Sequence, residues 1–235
     1  MMLRELTALL AVAIPDVATL RALVIDENIL GKSTAAARAG SLRHLRGLYA
    51  LGARSVVTDA LSSLWPLDLE SRPLLALFCA LARDPLLRDS APVVLSAPIG
   101  ARLGVHEITE SLGQRHPARF SPAMLKSLAQ NCASSWTQGA VLSGKVKKVR
   151  VHPRATPVAA AYAALLASLA GFGGPALIAS PWMAALDVSS HERLTLLRRA
   201  ESLGLVRVRA AGDVIEVVLG PLLGRIEAKS APAHV

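Results

Sequence analysis

Apolar residues return every three or four positions through most of this chain, the period of helices with one side turned inward. Residues 1–14 and 16–30 read as two helices divided by Pro15, with Asp16 placed to cap the second. In the next helix, at 100° per residue, Leu42, Leu45, Leu48 and Tyr49 share one face. Arg43 and Arg46 fall opposite, among Ala36, Ala39, Gly40, Gly47 and Ala50, so that face is thin and positive. Ser33 or Thr34 stands where an N-cap is needed. Ser55 to Leu64 is a further helix, ended by Trp65-Pro66. Ser71-Arg72-Pro73 then opens another, with Leu74, Leu75, Leu77, Phe78 and Leu81 on its inner side, and Asp84-Pro85 breaks it. Residues 1–88 thus read as a helical bundle that demands no strand.

From Arg88 the rhythm changes. Ser90-Ala91-Pro92 begins a short helix that Pro98 disturbs, and a second one runs from Val105 to Leu112. Ser121-Pro122 caps a longer helix predicted to bury Met124, Leu125, Leu128, Cys132 and Trp136. Its other face shows Lys126, Ser127, Gln130, Ser134 and Thr137; Gly139 stops it. The segment VLSGKVKKVRVHP then reads as a basic hairpin turning near Ser143-Gly144. Over 89–154 this is the order of a winged helix-turn-helix, with a helical domain plus basic linker as the alternative.

Residues 155–222 repeat that order. A helix from Pro157 to Ala170 leads through a glycine-rich loop to Ser180-Pro181 and a short helix ending near Leu186. Asp187 to Ser190 caps the helix His191–Leu203, and LVRVR and VIEVV flank a wing-like turn at Ala210-Ala211-Gly212-Asp213. His191, Thr195, Arg198, Arg199 and Ser202 share one arc, with donors of the kind used on base edges and phosphates. The same fold also serves dimerisation or protein docking, so a homodimer stays open. Residues 223–235 read as a tail. The expected fold class is mainly α, a helical bundle followed by winged helix-turn-helix modules with small β-hairpins.

Charge sharpens this picture. The 235 residues hold 26 Lys and Arg against 17 Asp and Glu, a net +9 that favours an anionic partner such as nucleic acid or an acidic membrane surface. Residues 101–155 hold nine basic side chains and two acids, and residues 32–54 hold five and none. Lys145, Lys147, Lys148 and Arg150 crowd the hairpin. Cys79 and Cys132 each sit in an apolar pattern, as buried thiols do. Ala155 to Leu186 carries no charge, yet Gly171, Gly173, Gly174, Pro175 and Pro181 break it short of the roughly 20 residues of a membrane span. The N-terminal apolar run lacks a basic leader and a cleavage site. A cytoplasmic chain without a membrane partner is the expectation.

No catalytic constellation is legible. Gly31-Lys32-Ser33-Thr34 mimics the end of a P-loop, but Asp26 stands where the leading glycine must be, and Glu27 adds a second carboxylate. His106 and Glu110 lack a second histidine, and no serine lies in a G-x-S-x-G elbow. A non-enzyme without cofactor or metal is expected.

The motifs V-I-D-E-N-I-L-G-K-S-T-A-A-A-R at 24–38, L-R-H-L-R-G-L at 42–48 and H-P…F-S-P-A-M-L-K-S-L-A-Q at 116–130 resemble the BrxA family of bacteriophage exclusion (BREX) systems. The likeness spans roughly residues 17–145. It implies a small, mostly helical protein, similar to the antitermination factor NusB in its N-terminal part, that binds double-stranded DNA and works with other BREX proteins. Carried over by position, Asn28, Lys32, Ser33, Arg38, Arg43 and Arg46 are the family-like residues; Arg38 falls on the apolar side of its helix. The chain departs from the family at 121–136, where only Lys126 is basic. The candidate DNA-binding set is Lys32, Arg38, Arg43, Arg46, Lys126, Lys145, Lys147, Lys148, Arg150, Arg198 and Arg199. A transcriptional regulator and a scaffold for other defence proteins are the alternatives.

Overall fold

A computed structural model of the chain describes residues 1–12, 16–211 and 214–230. In chain order come α1 (Leu3–Leu10), α2 (Val17–Arg21), a π-helical stretch over Ala22–Asp26, α3 (Ala35–Tyr49), α4 (Val56–Leu64) and α5 (Arg72–Arg83). Next are α6 (Pro85–Asp89), α7 (Ala91–Leu95), β1 (Arg102–Leu103), α8 (Val105–Arg115), α9 (Pro122–Gln138), β2 (Leu142–Ser143) and β3 (Lys148–Arg150). Last come α10 (Pro157–Leu169), α11 (Gly174–Ala179), α12 (Pro181–Ala184), α13 (Ser190–Ser202), β4 (Arg207–Ala211), β5 (Val214–Val218) and α14 (Gly220–Ser230). The chain is mainly helical, with two small antiparallel sheets among the described residues. The helix break expected at Pro15 and the wing tip at Gly212-Asp213 lie outside the described residues.

Contacts divide the chain into two units. One holds residues 1–58 and 79–151; the other holds 59–78 and the chain from His152 onward. This division differs from the single N-terminal bundle expected over 1–88. Leu74, Leu75, Leu77, Phe78 and Leu81 are buried, as their spacing predicts, and Leu61, Leu64, Trp65 and Ala76 are buried as well. Helical period gives the inward face of a segment, not the identity of what covers it, and here the cover comes from the C-terminal part of the chain.

In the first unit, side-chain caps start the helices where the sequence places them. Asp16 accepts from the Thr19 N–H at 2.7 Å, Thr34 from Ala37 at 3.1 Å, and Ser121 from Met124 at 3.3 Å. The core gathers Leu6, Leu9, Leu20, Val24, Leu45, Tyr49, Ile108 and Leu112. Trp136 of α9 is fully buried and donates its indole N–H to Ser90 Oγ at 2.8 Å; Ser90 in turn donates to the Leu87 carbonyl at 2.6 Å. That chain of bonds satisfies the one polar atom of the indole and fixes α9 against α6. The three-stranded sheet has the order β1-β3-β2, with Arg102 opposite Val149 and Leu142 opposite Arg150.

The second unit is built around α10. Every residue from Val158 to Ala167 is buried, so this helix is apolar on all sides because it is surrounded. Thr156 caps it, accepting from Ala159 at 3.1 Å, and its hydroxyl lies 2.5 Å from that of Ser71. Among the described residues no helix is long and apolar enough to cross a membrane. The glycine-rich loop opens directly into α11, an element the sequence reading did not include. Ser189 and Glu192 form a capping box at the start of α13. β4 and β5 pair with Arg207 opposite Val218. The segment read as a tail from 223 carries most of α14, whose Leu222 and Ile226 are buried one turn apart. Two apolar positions were too few to mark it as a helix.

Candidate nucleic-acid interface

The site is assembled from α9 and the hairpin that follows it. α9 turns Ala129, Cys132, Ala133 and Trp136 inward, which leaves Lys126, Ser127, Gln130 and Ser134 exposed and Thr137 half-buried. Met124, expected inside, is 50% exposed. It sits in the first turn, ahead of the stretch from Ala129 on where α9 is buried. Past Gly139 the chain returns through β2, and the turn depends on Gly144. Its φ is +90°, and a Cβ there would lie 2.2 Å from the Lys147 carbonyl oxygen, so only glycine fits. Lys148 closes the turn by donating its ammonium to the Gly144 carbonyl at 2.9 Å. Lys145 and Lys147 point into solvent.

Between α9 and the hairpin lies a groove of about 700 Å³, lined among others by Gln130, Ser134, Thr137, Lys145 and Lys148. None of the residues lining it is a carboxylate. Amide and hydroxyl groups on the helix side and ammonium groups on the hairpin side make it a donor-rich cleft facing solvent.

Comparison with protein-family models, with curated proteins and with solved structures returned no match.

The other expected site residues separate into distinct environments. Arg150 is fully buried. Its guanidinium donates to the Val141 carbonyl at 3.2 Å and to that of Val151, and its backbone N–H bonds Ala101 at 2.9 Å. It ties the base of the hairpin and is withdrawn from any phosphate, because alternation in a short strand turns its side chain to the covered face. Lys32 is half-buried and engaged within the fold. Its ammonium donates to Glu5 at 2.6 Å, and the Asn28 side chain holds its backbone N–H and carbonyl at 2.8 and 3.0 Å. Burial opposes ionisation of Glu5, but the Lys32 hydrogen bond and charge outweigh it and hold the carboxyl below its ordinary range. Arg38 is half-buried, with its Nε buried and without a hydrogen-bond partner among the described residues.

Arg43 and Arg46 are exposed and line a separate cleft of the first unit together with Arg21 and Arg83. These last two were not legible as site residues, being 22 and 37 positions away from Arg43 and Arg46 respectively. In the second unit, Arg198 and Arg199 are exposed on α13 beside His191 and Ser202. Arg193, on the same helix, is turned to structure: it donates to the carbonyls of Val188 and Ile178 at 3.0 and 3.1 Å. Cys79 and Cys132 are buried thiols, and burial pushes Cys132 up to about 11, far from the reactive thiolate range. Among the described residues no group of three or more His, Cys, Asp and Glu is placed to hold a metal ion.

Proposed function

We propose that the protein binds double-stranded DNA, with α9 presented to a groove of the duplex and the β2–β3 hairpin set as a wing on the phosphate backbone. One observation carries this reading. The order β1, α8, α9, β2, β3, with the sheet arranged β1-β3-β2, brings a lysine hairpin beside a helix face rich in donors and free of carboxylates. That order and pairing support reading it as a winged helix-turn-helix, in which the second helix reads bases while flanking cations fix the register. The α10–β5 segment runs helix, two short helices, helix and hairpin, with Arg198 and Arg199 exposed on α13, and supports a second module of a similar kind.

On the resemblance drawn above, the chain is a non-enzymatic component of a BREX-type phage defence, with a NusB-like N-terminal part. If Lys126, Lys145, Lys147 and one or two further cations neutralise about four to six phosphates, log K falls with log salt at a slope of roughly −4 to −5. A gel-shift titration at increasing salt measures that slope. No retardation of duplex DNA at low salt would remove the proposal. A methyltransferase and an ATPase of BREX type encoded beside the gene support the defence assignment.

A further inference from the structure

The arginine cleft of the first unit has a different character from the donor-rich groove. It follows one face of α3: Ala35, Ala39, Leu42 and Arg46 line it at intervals of three and four residues, and Ala50 lines it just past the end of the helix. That stripe runs the length of a 15-residue helix, about 22 Å. Ile25 and Leu51 continue the apolar floor on either side, and the cleft encloses about 760 Å³. Four guanidinium groups, Arg21, Arg43, Arg46 and Arg83, stand among the lining residues, which include no carboxylate and no aromatic ring. Arg83 is oriented by donating its Nε–H to the Gly47 carbonyl at 3.0 Å, leaving its terminal nitrogens for a ligand. Asp26 meets Arg21 only at 4.0 Å, with both side chains more than 60% exposed, so it neutralises little.

We propose that this groove docks an acidic amphipathic helix of a partner protein. The elongated shape matches a helix lying alongside α3, and alanines and Gly47 let its backbone come close. An apolar floor takes the leucine-like anchors of such a segment, while arginines at its edge pair with Glu or Asp flanking them, in the two-pronged geometry that guanidinium and carboxylate share. A single nucleic-acid strand lacks its usual support here, since no ring is present on which a base could stack. A duplex would leave the apolar floor uncovered. The groove is separate from the α9–hairpin surface of the DNA reading, and it reassigns Arg43 and Arg46 from the candidate DNA-binding set.

The test is fluorescence anisotropy of the full chain with a labelled designed peptide of about 18 residues, roughly 27 Å as a helix. The peptide carries leucines at helical spacing and glutamates on both flanks; a second version has Gln for every Glu. Wild type binds the Glu peptide and binds the Gln version at least about tenfold more weakly. Arg43→Glu with Arg46→Glu, and separately Ala39→Phe, which fills the floor from an exposed helix position, each weaken the Glu peptide by a similar factor. Lys145→Ala with Lys147→Ala leaves peptide affinity unchanged while lowering duplex affinity. Ala39→Phe does the reverse, and unchanged circular dichroism shows that it folds. Absence of wild-type binding, equal affinity for the two peptides, or indifference to Ala39→Phe overturns the proposal. So does duplex DNA displacing the peptide, which would return these arginines to the DNA surface.

Discussion

Arg150 and Lys147 lie three residues apart in one basic run, yet they do opposite things. The Arg150 guanidinium holds two carbonyls at the base of the hairpin, so Arg150→Met removes hydrogen bonds from a buried charged donor. Each such bond is worth about 1.5–3 kcal/mol, and urea denaturation of that variant shows a loss of this order. Lys147→Ala, at an exposed position, stays within about 0.5 kcal/mol of wild type. Glu5 supplies the pH dependence. Its folded pKa lies below its unfolded value, so its contribution is complete above the ordinary carboxylate range and is lost as pH falls through the folded pKa. Glu5→Gln is therefore less stable than wild type at neutral pH, and the gap closes in acid. Thermal melts across pH 3 to 7, a range chosen to bracket carboxylate titration at about 4, follow that closure.

Elements were legible in the sequence where a local rule defines them. Asp16, Thr34, Ser121 and Ser189 each cap a helix that begins within one residue of the expected place, because a cap satisfies N–H groups only two or three positions away. β1 was not legible. A two-residue strand offers no alternation to read, and its partner β3 is 45 or more residues further on. The burial of Arg150 was hidden for the same reason, since it follows from the pairing of β3 on both edges. On the DNA-binding proposal, the hairpin and α13 act differently. Lys145→Ala with Lys147→Ala weakens all duplexes alike and makes the salt slope shallower by about two units, because phosphate contacts carry no sequence information. Arg198→Ala with Arg199→Ala changes the preference between duplex sequences if α13 reads bases, and competition binding with unrelated duplexes measures it. Gly144→Ala, blocked by the Lys147 carbonyl, abolishes the turn and lowers duplex affinity at least as far as the lysine pair.

At the scale of the molecule, the second unit is discontinuous in sequence. A fragment starting at His152 lacks residues 59–78, and with them Ser71 beside Thr156 and Glu70, paired with Arg154 at 2.5 Å. It also lacks the buried side chains of Leu74 to Phe78. Such a fragment melts without a sharp transition, whereas one in which 59–78 is fused ahead of it by a flexible linker melts cooperatively; scanning calorimetry of the two distinguishes them. The sequence could not show this, because the apolar face of Leu74, Leu75, Leu77 and Phe78 would be satisfied equally well by a neighbour in an N-terminal bundle. The interrupted path also sets a timetable for synthesis. Residues 59–78 leave the ribosome about 70 residues ahead of the helices that will cover them. At about 5–20 residues per second, that is a wait of roughly 4–14 s. Throughout it an apolar segment stands ready to bind a holding chaperone or a neighbouring nascent chain, so the yield of folded protein depends on how fast translation crosses 79–151.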